Sequence, residues 1–196
     1  MSVLHVLLVS ALASAVGFHM YIWFFSVGYG LSIAAIGAAL AVGFRQSLGL
    51  PELLTCLLLI VYGLRLSLFL LLREMKSPAY RKVLSPEMER SKKMPVIAKI
   101  ARWLGCALLY TLMTIPLYFR LQNGTPADGM LWAGLIVMIV GVVLELTADL
   151  QKRRAKKQNS QRFVDTGLYR LVRCPNYLGE LLLWLGMLLG DRKNVV

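Results

Sequence analysis

Residues 1–44 read MSVLHVLLVSALASAVGFHMYIWFFSVGYGLSIAAIGAALAVGF, and none of them is Asp, Glu, Lys or Arg. About 20 consecutive apolar residues carry a helix across a bilayer, so this stretch holds two crossings before the first charge, Arg45. A secretory signal would need a basic start and one short apolar core; MSVLHVLL supplies neither. The reading is an integral membrane protein retained whole.

The rest of the chain repeats the pattern. Of 196 residues, 58% are hydrophobic and 16% charged, with a mean hydropathy of +0.64. Crossings are expected at about 3–22, 26–44, 51–72, 101–120 and 129–149, with a sixth starting near Tyr177. Backbone polar groups cannot stay unpaired in lipid, so these runs must be helices. They are continuous, whereas a barrel needs short alternating segments. The expected fold is therefore all-α, a polytopic membrane helix bundle with five to six transmembrane helices in one domain.

Where the charges sit says more than the net +12. Between Arg73 and Arg102, around the loop over 73–100, stand nine basic and three acidic residues. The loop over 150–174 holds eight basic residues and one acid, Asp165. The connections 45–50 and 121–128 are nearly bare, with Arg45 alone in one and Arg120 balanced by Asp128 in the other. Basic loops stay on the cytoplasmic side, which puts 73–100 and 150–174 on the cytoplasmic side of the membrane and the N-terminus outside. Lipid-crossing segments separate the basic patches, so the bilayer is the expected partner and nucleic acid is not. Cys56, Cys106 and Cys174 are odd in number and lack metal spacing, so neither a disulfide framework nor a metal site is expected.

Charges within crossings cost about 2–4 kcal/mol each and ask for a reason. Arg65 lies deep in LLIVYGLRLSLFLLL, three residues after Tyr62 and on the same helix face. It can snorkel, pair with an acid, or serve a site. Glu145 and Asp149 stand four apart in GVVLELTADLQKRRAKK, just before five basic residues in six positions. Acids beside cations can grip a polar ligand, the acids accepting from ribose or amide groups and the cations holding phosphates. A solvated helix end with i,i+4 pairs would look the same. His5 and His19 are read as hydrogen-bonded to neighbours, and the Gly186-x-x-x-Gly190 spacing as a site of close helix approach.

The stretch 165–180, DTGLYRLVRCPNYLGE, gathers polar residues at the start of an apolar run. Gly167 permits a tight approach, Arg170 and Arg173 offer forks for phosphate, and Pro175 stiffens the helix start. Glu180 shares a helix face with Asn176 and Tyr177. These groups would line the mouth of a bundle, suiting a ligand with a water-loving head and a reactive end in the membrane.

This stretch resembles the Arg-His-Pro-Asn-Tyr-x-Gly-Glu region of the steroid 5-alpha-reductase family, including its bacterial branch. ELTADLQKRR and YGLRLSLFLLLR resemble further segments of that family in the same order, so the resemblance spans roughly residues 25–190. It implies a polytopic helical reductase that uses NADPH on a carbon–carbon double bond conjugated to a carbonyl in a lipophilic substrate. Glu145, Asp149, Lys156, Arg162, Arg173 and Asn176 then match the cofactor side, joined by Arg153 and Tyr177. Tyr62 matches the tyrosine that polarises the substrate carbonyl, and Glu180 the motif glutamate near the nicotinamide. The chain then divides into an N-terminal hairpin (1–50), central helices (51–149), a cytoplasmic loop with the cofactor motif (150–190) and an atypical tail (191–196).

Two departures stand out. Cys174 replaces the motif histidine, and DRKNVV resembles none of the family's later helices. Two other readings follow: an S-adenosylmethionine-dependent membrane methyltransferase of the isoprenylcysteine or phospholipid type, which shares an Arg-His-Pro-x-Tyr motif, or an inactive truncated membrane protein.

Overall fold

The computed structural model describes residues 1–76, 78–159 and 163–191. The expected Arg162 and nearly all of the 191–196 tail lie outside the described residues. Among those described the chain is all-helical, without strands. It divides into two compact units, Met1–Thr125 and Pro126–Val196.

The first unit contains α1 (Val3–Ser14), two short 3-10 turns (Ala15–Phe18 and Tyr21–Phe24), α2 (Val27–Gly43), α3 (Leu50–Lys76), α4 (Pro78–Lys92) and α5 (Val96–Asn123). The second contains α6 (Gly129–Gln158), the single turn α7 (Leu168–Leu171) and α8 (Pro175–Asp191). Among the described residues, four segments are long and apolar enough to cross a membrane: Tyr21–Gly43, α3, α5 and α6. The shorter apolar Val3–Phe18 and the 17-residue α8 bring the helix set to the expected bundle. This is an integral membrane protein.

The first expected crossing, 3–22, is broken: regular helix stops at Ser14. The Phe24 ring lies against Gly17 where any Cβ would stand, and Phe18 meets that ring edge-on at 5.2 Å. The aromatic cluster takes the space that a continuing helix would need. His5 bonds its neighbour, with Nδ1 2.7 Å from Ser2 Oγ, and His19 packs on Trp23.

Segments expected as loops also differ. Most of 73–100 is helical, because α4 carries its charges on an exposed polar helix whose Arg90–Glu87 and Lys92–Glu89 pairs sit at i,i+3. Arg73 donates to the Tyr80 hydroxyl at 2.7 Å and stacks over its ring, tying α3 to α4. Arg120, expected in an outer connection, is buried in α5 at 1% exposure. Its Nε lies 3.4 Å from Glu52 Oε1 at the start of α3.

Polar side chains hold much of this unit together. Ser10 Oγ donates to Ala107 O at 3.0 Å, Trp103 Nε1 to Ala11 O at 2.9 Å and Ser67 Oγ to Val27 O at 2.8 Å. Tyr110 donates to Phe24 O at 2.6 Å, and Trp23 Nε1 to Glu74 Oε2 at 2.8 Å. Helices in lipid gain little from burying more hydrocarbon, so packing and such bonds must associate them.

The second unit is built on close backbone approach. A Cβ on Gly134 would lie 2.5 Å from Gly186 O, and one on Gly141 would lie 2.5 Å from Gly179 O. Gly134 facing Gly186 while Gly141 faces Gly179 makes α6 and α8 antiparallel. Both glycine pairs recur after seven residues, two helical turns, so the contacts fall on one face of each helix. The expected close approach at Gly186 and Gly190 is part of this seam, with Gly190 packed on Leu131. Asp128 caps α6, its Oδ1 accepting from Leu131 N–H at 3.0 Å.

Candidate functional site

The seam fixes where the polar end of the second unit comes together. Glu145 and Asp149 project one turn apart from α6, at 4% and 8% exposure. Gly179 presses on the first of them: a Cβ there would stand 2.7 Å from Glu145 N. The absence of a side chain at 179 therefore sets the first turns of α8 against the acid pair. Pro175 is buried at the first helical position, where its missing N–H costs nothing. Asn176 and Glu180 are half-buried on α8, while Arg173, Cys174 and Tyr177 are exposed.

The basic run expected in a loop is helical instead, because α6 continues to Gln158. Arg153 and Lys156 stand exposed about one and two turns beyond Asp149. They form a cationic fringe outside the buried acids.

The segment before α8 is tied back to α6. Gly167 adopts φ +61°, in the left-handed region, and a Cβ there would lie 2.5 Å from Gln151 Oε1. That same Oε1 accepts from Leu168 N–H at 2.9 Å, holding the start of α7. Tyr169 then packs with Ala148 and Val164, and with the partly buried Ala155 and Leu168. Its side chain is at 9% exposure, and its hydroxyl has no hydrogen-bond partner among the described residues. Burial, and then the nearby charges of Asp149 and Cys174, push the phenol up to about 12.

At the polar end of the second unit, Glu145 and Asp149 are buried on α6 and Asn176 and Glu180 half-buried on α8, with Tyr177, Arg173, Arg153 and Lys156 exposed. Tyr62 belongs to the first unit, where it is fully buried with the Arg65 guanidinium 5.7 Å over its ring, as their spacing implies. A cavity of about 160 Å³ also lies in the first unit, lined by Phe18, His19, Tyr21, Met88, Lys92 and Lys99 among others. None of the expected site residues that are described lines it. Sequence reasoning missed Tyr169 and Gln151. Gly167 was the available signal, since a glycine needed for a left-handed turn marks a segment held in one conformation.

Residues 18–194 match the family described as "Protein of unknown function (DUF1295)". The chain belongs to this DUF1295 family. It is also similar to steroid 5-alpha-reductase DET2 of Arabidopsis thaliana, 42% identical over 55 residues, or 27% of this chain and 21% of that protein. DET2 of Gossypium hirsutum is 39% identical over 56 residues, 28% of this chain and 22% of its own. The matched stretch spans about a fifth of the length of these relatives. No solved structure matches. The expected resemblance to steroid 5-alpha-reductases holds for this DUF1295 chain.

Proposed function

We propose that this protein is a membrane reductase that uses NADPH to saturate a carbon–carbon double bond conjugated to a carbonyl in a lipophilic, steroid-like substrate. The observation that carries the reading is the buried Glu145–Asp149 pair, set by Gly179 against the first turns of α8 and fringed by exposed Arg153, Lys156 and Arg173. Two carboxylates offer acceptors for ribose or amide groups and the cations offer partners for phosphates, so the residues fit a charged dinucleotide. Arg162 completes the proposed cation set, and Asn176 supplies a donor and an acceptor from α8. Tyr177 covers the outer side.

NADPH supplies the hydride that reaches the β-carbon. Tyr62 donates a hydrogen bond to the substrate carbonyl oxygen and stabilises the enolate as charge develops there, and a proton from water taken up at the α-carbon completes the saturation. Glu180 orients the reacting end. The basic segments 73–100 and 150–174 face the cytoplasm of a bacterial inner membrane, where the cofactor is available.

Thermal melting of the detergent-purified protein with NADPH, NADH and S-adenosylmethionine tests this. A ligand that binds only the folded state raises the midpoint by RT ln(1 + [L]/Kd) in free energy. NADPH is expected to raise it, and Arg173→Ala or Asn176→Ala to abolish that rise. Tyr62→Phe is expected to keep the rise and slow turnover by about 10²–10³-fold, the usual loss for one donor to a developing oxyanion. A rise with S-adenosylmethionine alone would replace the reductase with a methyltransferase.

A further inference from the structure

We propose that the Tyr169 hydroxyl and the Asp149 carboxylate together recognise a sugar hydroxyl of a ribose-bearing nucleotide. The inference rests on the reading of this end of the second unit as a nucleotide site, and not on which nucleotide it takes.

The argument starts from a buried group with nothing to bond. Tyr169 is at 9% exposure and its oxygen has no partner among the described residues. Leaving such a hydroxyl unsatisfied is costly enough that native structures nearly always supply a partner. The ring is not loosely placed. Ala148 and Val164 pack against it, and Gln151 holds the backbone one residue before it through Leu168 N–H at 2.9 Å. Gly167 reaches its left-handed conformation directly against Gln151, so the turn delivering the ring has one geometry.

Asp149 follows directly on Ala148, which packs on the ring, and is itself buried, yet no hydrogen bond joins it to the phenol. A ligand group that satisfies both accepts a hydrogen bond from the phenol and donates one to the carboxylate. A carboxylate only accepts, and a phenol has one proton to give. A phosphate only accepts at neutral pH and suits the Tyr169 side alone, while an ammonium only donates. A sugar hydroxyl does both through a single oxygen, where an amide needs two atoms. The cations stand farther along α6, at Arg153 and Lys156, where the phosphates of the same nucleotide would be met.

The test compares wild type with Tyr169→Phe, which removes one oxygen and keeps the ring. Both are melted alone and across titrations with NADPH, NADH and S-adenosylmethionine, all of which carry ribose. The expected result is an unchanged midpoint without ligand and about a tenfold weaker Kd for whichever nucleotide the wild type binds, the loss of one hydrogen bond. If that nucleotide is S-adenosylmethionine, the inference stands and the reductase reading falls. Equal affinity in the two proteins overturns the inference and leaves the reductase reading standing. A lower midpoint without ligand, or failure to fold, also overturns it, because the hydroxyl would then have an internal task. If no nucleotide stabilises the wild type, both readings fall together.

Discussion

The two units solve the same problem, holding helices together in lipid, with a different balance of two means. In the first, polar side chains cross between helices, a buried Arg120–Glu52 pair joins α5 to α3, and a glycine-on-glycine contact, Gly30 on Gly63, brings α2 against α3. In the second, side chains are removed: Gly134, Gly141, Gly179 and Gly186 let the α6 and α8 backbones touch. The first unit should therefore be hurt by deleting polar atoms as well as by adding carbon at that glycine contact, and the second by adding carbon all along its seam. The difference bears on function, because the glycine seam sets the register between Glu145 and the start of α8. A site built on that seam inherits its precision.

The largest effect is expected at Arg120. Arg120→Met leaves the Glu52 carboxylate buried without its cation, and breaking such a pair costs about 3–5 kcal/mol. The double variant Glu52→Leu/Arg120→Met should recover most of that, since apolar replacements of similar volume are often neutral or better. Unfolding free energies from SDS titration in mixed micelles measure both. A single-variant loss below about 1 kcal/mol would remove the ion pair from the comparison.

Next comes Gly141→Ala. The new Cβ would meet Gly179 O at 2.5 Å and Leu183 N at 2.7 Å, and neither backbone atom can swing aside as a side chain could. Overpacking of this kind costs about 1–3 kcal/mol, and the helices would separate at the polar end, so nucleotide stabilisation should fall as well. Gly105→Ala in α5 is the control. Nothing lies within 4 Å of its Cβ, and replacing a mid-helix glycine there should stabilise by about 0.5–1 kcal/mol. Equal effects at 141 and 105 would mean that the seam does not depend on close approach.

How much of this was legible in the sequence follows from the range of each interaction. The crossings were, because hydropathy is a local property and the chain carries no charge before Arg45. The acid pair was, because an i,i+4 spacing puts two carboxylates on one face whatever surrounds them. The break after Ser14 was not, since it depends on the Phe24 ring folding back over Gly17. Arg120 was misplaced because its partner Glu52 lies 68 residues away in sequence. Tyr169 was invisible because an unpartnered hydroxyl is a tertiary fact, and Tyr in a polar stretch looks like any loop aromatic.

The smallest effects separate two kinds of hydroxyl in the first unit. Ser67 Oγ donates to Val27 O at 2.8 Å, and that carbonyl opens α2 and also serves the helix ladder. Ser67→Ala should cost only about 0.6 kcal/mol, the average for side-chain hydrogen bonds between membrane helices. Tyr110 instead donates to Phe24 O at 2.6 Å, in the irregular joint between the 3-10 turn and α2. A joint with fewer backbone bonds of its own leans more on a side chain, so Tyr110→Phe should cost about 1–2 kcal/mol, toward the upper range for a buried hydrogen bond. The same SDS titration reads both variants. Losing more at Ser67 than at Tyr110 would mean that the joint is held by its aromatic packing, with Phe18 on Phe24, and that the hydroxyl only follows.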